Sequence, residues 1–239
     1  MTLASPDAIA RMAAESIATL VGQQPDCVLG LPTGSTPIAT YTKLVESHNA
    51  GLSFADVTTF NLDEYVGLPD KHEQSYHHFM TAQLFDHIDI DTDRTHLPDG
   101  VANDLDAECQ AYENDIASTG GLDLCVLGIG TNGHIAFNEP GCPLDSRTRV
   151  VDLTSETISA NSRLFDSPHD VPREAITAGI ATILDAKRLL LLAYGGSKAE
   201  AVAQALAGPV TSDCPASYLQ NHPDCTFLLD AESASRLTA

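Results

Sequence analysis

A single α/β domain over residues 1–239, built on a mostly parallel sheet with helices on both faces, is the architecture this chain predicts, and three features predict it. Short apolar runs of strand length alternate with stretches of helical periodicity from end to end. Two of those runs, 122–129 (LDLCVLGI) and 188–196 (RLLLLAYGG), are almost continuously apolar, as strands covered on both faces of a parallel sheet must be. Glycines end both runs, and no linker-like or low-complexity stretch divides the chain.

Each element has its own signal. Ser5 as N-cap and Pro6 at the first helical position open a helix with Ile9, Met12, Ala13, Ile17 and Leu20 on one stripe, closed at Gly22. A strand at 27–31 leads into PTGSTP, where Thr36 can cap and Pro37 starts a helix to about residue 46. Such a loop offers backbone N–H groups and hydroxyls at a positive helix end, which suits a phosphate; a bare N-cap is the commoner meaning, and both readings stand at this point. A strand at 57–61 (VTTFN) runs into Asp63 and Glu64, placing acids at a strand's carboxyl end or in a solvated loop. Helices follow at 75–85 and 103–117, with a short strand at 95–97 between them, and the strand at 122–129 comes next. Beyond it the pattern predicts a strand at 149–153 and a capped helix at 155–165. Residues 176–184 fit helix or strand, and 188–196 reads as a strand feeding a helix that opens at Ser197 and Lys198. A last strand at 225–229 and a short tail helix complete the reading. Lys198 is a cation at a helix start, where the helix dipole disfavours cations, so it is either merely solvated or compensated by an anion; in a chain with four lysines the anion is the expectation.

The densest chemistry follows the strand at 122–129. Asn132, His134, Asn138 and Glu139 crowd between Gly130 and Gly141, at the strand end where open α/β sheets bind ligands. Gly128, Gly130 and Gly133 also spell Gly-x-Gly-x-x-Gly, with Asp152 some way beyond. That dinucleotide fingerprint needs a helix opening at its third glycine, and Pro140 with Gly141 leaves almost no room for one. The spacing is therefore read as a glycine turn.

Composition narrows the partners. The formal net charge is −21, with 33 acidic residues against four lysines and eight arginines. Nucleic acid and anionic membrane would be repelled, so positive charge must be local wherever an anion binds. The six cysteines show no Cys-x-x-Cys spacing, and Cys27 and Cys125 sit in apolar strand runs; buried free thiols and no metal are expected. No apolar run reaches membrane-spanning length and no signal sequence follows Met1, so a cytoplasmic protein is expected.

Seven blocks carry a resemblance: LGLPTGSTP (29–37), FNLDEYVGL (60–68), SYHHFM (75–80), GIGTNGHIAFNEPG (128–141), ANSRLF (160–165), YGGSKAEAV (194–202) and PASYLQNHP (215–223). In this order, over nearly the whole chain, they resemble the glucosamine-6-phosphate deaminases; single blocks are shared with 6-phosphogluconolactonases. The resemblance implies a modified Rossmann-like fold without metal or nucleotide, converting glucosamine 6-phosphate into fructose 6-phosphate and ammonia. It implies His134 as the group that opens the sugar ring and Glu139 as the carboxylate that orients the imidazole. Asp63 matches the base that moves a proton between carbons. Thr33, Gly34, Ser35 and Thr36, with Arg163 and Lys198, match the phosphate grip.

Two departures from the family pattern matter. Asn132 stands where many members have Asp, so an amide is expected to orient His134 by hydrogen bonding without adding charge. Val151 occupies the position where the allosteric, hexameric branch has a basic residue, and with the chain ending at Ala239 a monomer without that allosteric activation is expected. Three other readings remain: a 6-phosphogluconolactonase, which Asp63 in FNLDEY argues against; a sugar-phosphate sensor, which would need a DNA-binding module; and a nucleotide-dependent dehydrogenase, resting only on the glycine spacing.

Overall fold

Short apolar strands can bury both faces only between two layers of helices, and this chain forms such a sandwich. The computed structural model describes residues 1–162, 165, 167 and 170–237, with the backbone alone for 156, 160 and 161. The first half of the chain contains β1 (Thr2–Leu3), α1 (Pro6–Gln23), β2 (Val28–Leu31), α2 (Ile38–Asn49), β3 (Thr58–Asn61) and β4 (Asp63–Tyr65). Next come α3 (Tyr76–Gln83), β5 (Thr95–His96), α4 (Leu105–Ser118) and β6 (Leu124–Leu127). The second half contains β7 (Arg149–Asp152), α5 (Ser155–Asn161), β8 (Glu174–Thr177), α6 (Ile180–Leu184), β9 (Leu189–Ala193), α7 (Ala199–Ala207) and β10 (Cys225–Asp230).

Seven strands pair in parallel in the order β1-β10-β9-β6-β2-β3-β5. From β2 the chain builds outwards through β3 and β5, then returns across to β6 and builds the other way through β9 and β10. The reversal falls between β2 and β6, and the loops leaving these two strands must diverge there and open a crevice. Strand alternation feeds both faces of the sheet. In β6, Leu124 and Val126 pack with Ile17 of α1 and Leu44 of α2, while Cys125 and Leu127 pack with Ile116 of α4 and Val202 of α7. Each fully buried aliphatic side chain contributes about 1.5–3 kcal/mol to holding these layers together.

Most elements match the sequence expectations, including the Ser5 cap, which accepts the Ala8 N–H. Four do not. Asp63 and Glu64 lie in no solvated loop: they form β4, which pairs antiparallel with β8 and, through it, β7 in a separate three-stranded sheet. Three residues between Leu62 and Val66 carry too little pattern to read as a strand, and the pairing partner lies more than a hundred residues on. Residues 176–184 are both a strand end and a helix, with Gly179 between β8 and α6. Thr36 does not cap α2, whose first turn has no side-chain cap. The tail at 231–236 folds as successive turns, not a helix. In addition, β1 is too short to leave any sequence signal.

Candidate active site

The crevice at the β2/β6 reversal is a cavity of about 360 Å3. Four of the segments that line it are the loop after β2 (Thr33, Gly34, Ser35, Thr36), Asp63 on β4, the loop after β6 with His134, and Lys198 just before α7. These segments leave the carboxyl ends of strands, so the sheet itself brings together side chains up to 165 residues apart.

Asp63 is 7% exposed. Burial, reinforced by the neighbouring Glu64 charge, pushes its carboxyl up to about 8, so it exchanges its proton near neutrality. Glu64 points the other way along the strand, as alternation requires. Its carboxylate accepts the N–H groups of Tyr76 and His77 at the start of α3, and His77 Nδ1 lies 3.0 Å from it. Burial alone would lower the His77 pKa, but Glu64, with Asp70 nearby, raises it overall. Glu64 thus ties β4 to the helix start that sets Tyr76 in the cavity wall.

The loop after β6 is a tight knot and not a helix, so the glycine spacing is no nucleotide fingerprint. The Gly130 N–H donates to the carbonyl of His134 at 2.9 Å, folding the imidazole back over Gly130. A Cβ at Gly130 would collide with the ring, which is why this position must be glycine. Ala136, on the cavity wall, is held at φ 50°. That left-handed conformation costs a non-glycine residue about 1–3 kcal/mol, and here the Asn138 side chain latches the turn through the carbonyls of Ile135 and Ala178.

Glu139 Oε2 lies 3.5 Å from His134 Nδ1, an ion-pair distance without hydrogen-bond alignment, so that ring nitrogen is otherwise unsatisfied. Burial works to raise the Glu139 pKa, but His134, Asn132 and Thr157 outweigh it and hold the carboxyl at about 2. It is therefore a fixed negative charge beside the imidazole. Asn132 does not orient the ring as expected. Its amide donates to Glu139 Oε2 at 2.7 Å, and its Oδ1 accepts the main-chain N–H of His134 at 3.2 Å. The amide acts on the carboxylate and the loop, because the short side chain reaches both before it reaches the imidazole.

Lys198 is half-buried in the cavity wall, and among the described residues no carboxylate lies within ion-pair distance of its ammonium. Burial lowers its pKa. The hydroxyls of Ser35 and Thr36 make no hydrogen bond among the described residues, so the loop after β2 presents unspent donors at the start of α2. Arg163 lies outside the described residues. No cluster of three or more His, Cys, Asp or Glu side chains set for a metal ion occurs among the described residues.

Sequence reasoning missed two contributors. Tyr76 stands in the cavity hydrogen-bonded to Tyr65 and Thr33; burial, with Tyr65 and the Asp63 charge, pushes its hydroxyl pKa well up against the opposing pull of the Thr33 hydrogen bond. Thr157, also in the wall, donates to Glu139 Oε1 at 2.9 Å. The SYHHFM block held a signal for Tyr76, whereas nothing local marks Thr157 among so many hydroxyls.

Fold and cleft together define an α/β protein whose acid–base groups and unspent anion donors face each other across the switch point of a parallel sheet. The chain belongs to the glucosamine-6-phosphate isomerase/6-phosphogluconolactonase family, whose sequence model matches residues 4–228. It is 59% identical to a glucosamine-6-phosphate deaminase of Rhodopirellula baltica over 91% of this chain and 87% of that one. A glucosamine-6-phosphate deaminase of Halothermothrix orenii is 54% identical, covering 96% and 95%. Among solved structures, one described as a monomeric glucosamine-6-phosphate deaminase superposes with a TM-score of 0.96 at 48% identity, over 98% of each chain. A 6-phosphogluconolactonase from Trypanosoma cruzi shares the fold at 23% identity, with a TM-score of 0.82.

Proposed function

We propose that this chain converts glucosamine 6-phosphate and water into fructose 6-phosphate and ammonia, as a step of amino sugar catabolism. The observation that carries the reading is the opposition, across one cavity, of a near-neutral buried carboxyl (Asp63) and a His134–Glu139 pair. His134 moves a proton to the ring oxygen as the pyranose opens, and the fixed Glu139 charge stabilises the imidazolium that the cycle needs. Asn132 and Thr157 keep that carboxylate in place. Asp63 then takes the proton from C2 and returns it to C1, a two-way transfer for which a pKa near the working pH is best matched. The shift leaves a C=N bond at C2, and water hydrolyses it to the ketone and ammonia. Thr33, Gly34, Ser35, Thr36, Lys198 and Arg163 take the phosphate, combining amide and hydroxyl donors with a point charge and a guanidinium fork.

The high identity to deaminases supports this chemistry over lactone hydrolysis, which rests on the shared family model and on fold likeness at 23% identity. The chain works as one domain and as a monomer, in keeping with the description of its 48%-identical solved relative. A sugar-phosphate substrate and six free cysteines support a cytoplasmic setting, and no described helix is long and apolar enough to cross a membrane. Ammonia release from glucosamine 6-phosphate by the purified protein tests the proposal. No release, with hydrolysis of 6-phosphogluconolactone instead, would replace it.

A further inference from the structure

The turn that delivers Lys198 is gripped by residues from the far end of the chain. Gly195 sits at φ 83°, ψ 149°, a conformation open to glycine and strained for other residues. Both of its peptide groups are used. Its carbonyl accepts the main-chain N–H of Lys198 at 3.1 Å, and its N–H donates to both carboxylate oxygens of Asp230, each at 3.1 Å. Asp230, at the end of β10, is therefore linked through the peptide groups of Gly195 to the backbone of Lys198.

Asp230 is 6% exposed, and burying a carboxylate without need is costly. It is held hard: Oδ1 also accepts the Ser233 N–H at 2.8 Å, while Ser233 Oγ accepts the Asp230 N–H and donates to the carbonyl of Ala193, the last residue of β9. Glu232, two residues on, accepts the Gly196 N–H at 3.2 Å. The tail after β10 thus takes both glycine amides, so what this turn offers the cavity is the Lys198 ammonium.

We propose that Asp230, assisted by Glu232, is a positioning residue for anion binding: by clamping Gly195 it fixes where Lys198 stands in the cleft, making the C-terminal segment part of the phosphate grip. The inference rests on the reading of Lys198 as a phosphate ligand. Removing the clamp lets the Gly195–Lys198 turn relax and misplaces the ammonium.

The test combines calorimetric titration of inorganic phosphate with steady-state kinetics on glucosamine 6-phosphate. Asp230→Ala is expected to raise the phosphate Kd and the KM about tenfold while kcat stays within about twofold. Asp230→Asn keeps an acceptor for the Gly195 N–H and should restore both to within about threefold of wild type. An Asp230→Ala protein that melts cooperatively yet binds phosphate like wild type overturns the proposal, as does a loss confined to kcat. Should that variant not fold, the exposed Glu232→Ala decides by sign. Loss of a negative charge near an anion site would tighten phosphate by electrostatics alone, whereas a loosened turn weakens it; equal or tighter binding sinks the proposal. Lys198→Ala is the control. If it binds phosphate like wild type, the phosphate reading itself fails; if it weakens while the Asp230 and Glu232 variants do not, only the clamp fails.

Discussion

In the proposed reaction Asp63 carries the heaviest chemical demand on any single side chain. Its carboxyl, pushed up to about 8 by burial and by Glu64, must be deprotonated to accept a proton, so kcat/KM should rise with pH to a limb near 8. Replacing Glu64 by Gln removes one cause of the shift while keeping an acceptor for α3, and should move that limb to lower pH; an immobile limb would assign it to another group. Asp63→Asn should cost about 10²–10⁴-fold in turnover with phosphate binding retained. The same change should stabilise the fold in alkali. A carboxyl whose folded pKa lies above its ordinary 3.8 loses native stability as pH rises from about 4 through about 8, and Asn escapes that loss. Melting temperatures of the two proteins should therefore separate progressively over that window, with the variant higher above pH 8. Asn132→Ala removes the donor to Glu139 and the latch on the His134 N–H, and should reduce kcat about tenfold or more with phosphate affinity unchanged.

The loops do what strands and helices cannot, and their tightness is testable. A methyl group at Gly130 would strike the imidazole, so Gly130→Ala should displace His134 and lower kcat about 100-fold while leaving phosphate binding near normal. Normal turnover would show that the ring need not fold back over the turn. Lys198→Ala removes the charge-assisted phosphate contact proposed above, and should raise KM about 10–100-fold with a matching loss of phosphate inhibition. These loops were legible in the sequence to an unequal degree. The Gly130–His134 turn announced itself, because glycines and Pro140 excluded a helix. By contrast β4 was unreadable: its strand state depends on pairing with β8, more than a hundred residues away.

A net charge of −21 on 239 residues means that the folded surface repels itself. Screening shortens the reach of that repulsion to about 8 Å at physiological ionic strength, so raising NaCl from a few millimolar should raise the melting temperature. Sedimentation at matched salt should also report a single species of 25.3 kDa; a larger species would overturn the monomer reading. The acidic surface makes the cleft cations scarce and therefore informative. Of the four lysines, Lys43 and Lys187 are paired with acids, while Lys198 faces the cavity.

Local chemistry was enough to mark most strands of the parallel sheet, the Ser5 cap, the glycine turns, and the candidates His134, Glu139, Asp63 and Lys198, because period, φ restriction and charge are properties of short stretches of chain. It could not say that Asn132 serves Glu139 before the imidazole, that Thr157 braces the same carboxylate, or that Asp230 reaches Gly195. Those are contacts between loops from different strand ends. They exist because the parallel order β9-β6-β2-β3 places those ends side by side, and strand order is settled by how two helical layers cover both faces of the sheet. Proton affinity was decided there too: a carboxylate one position from another becomes a near-neutral base only when packing removes it from water.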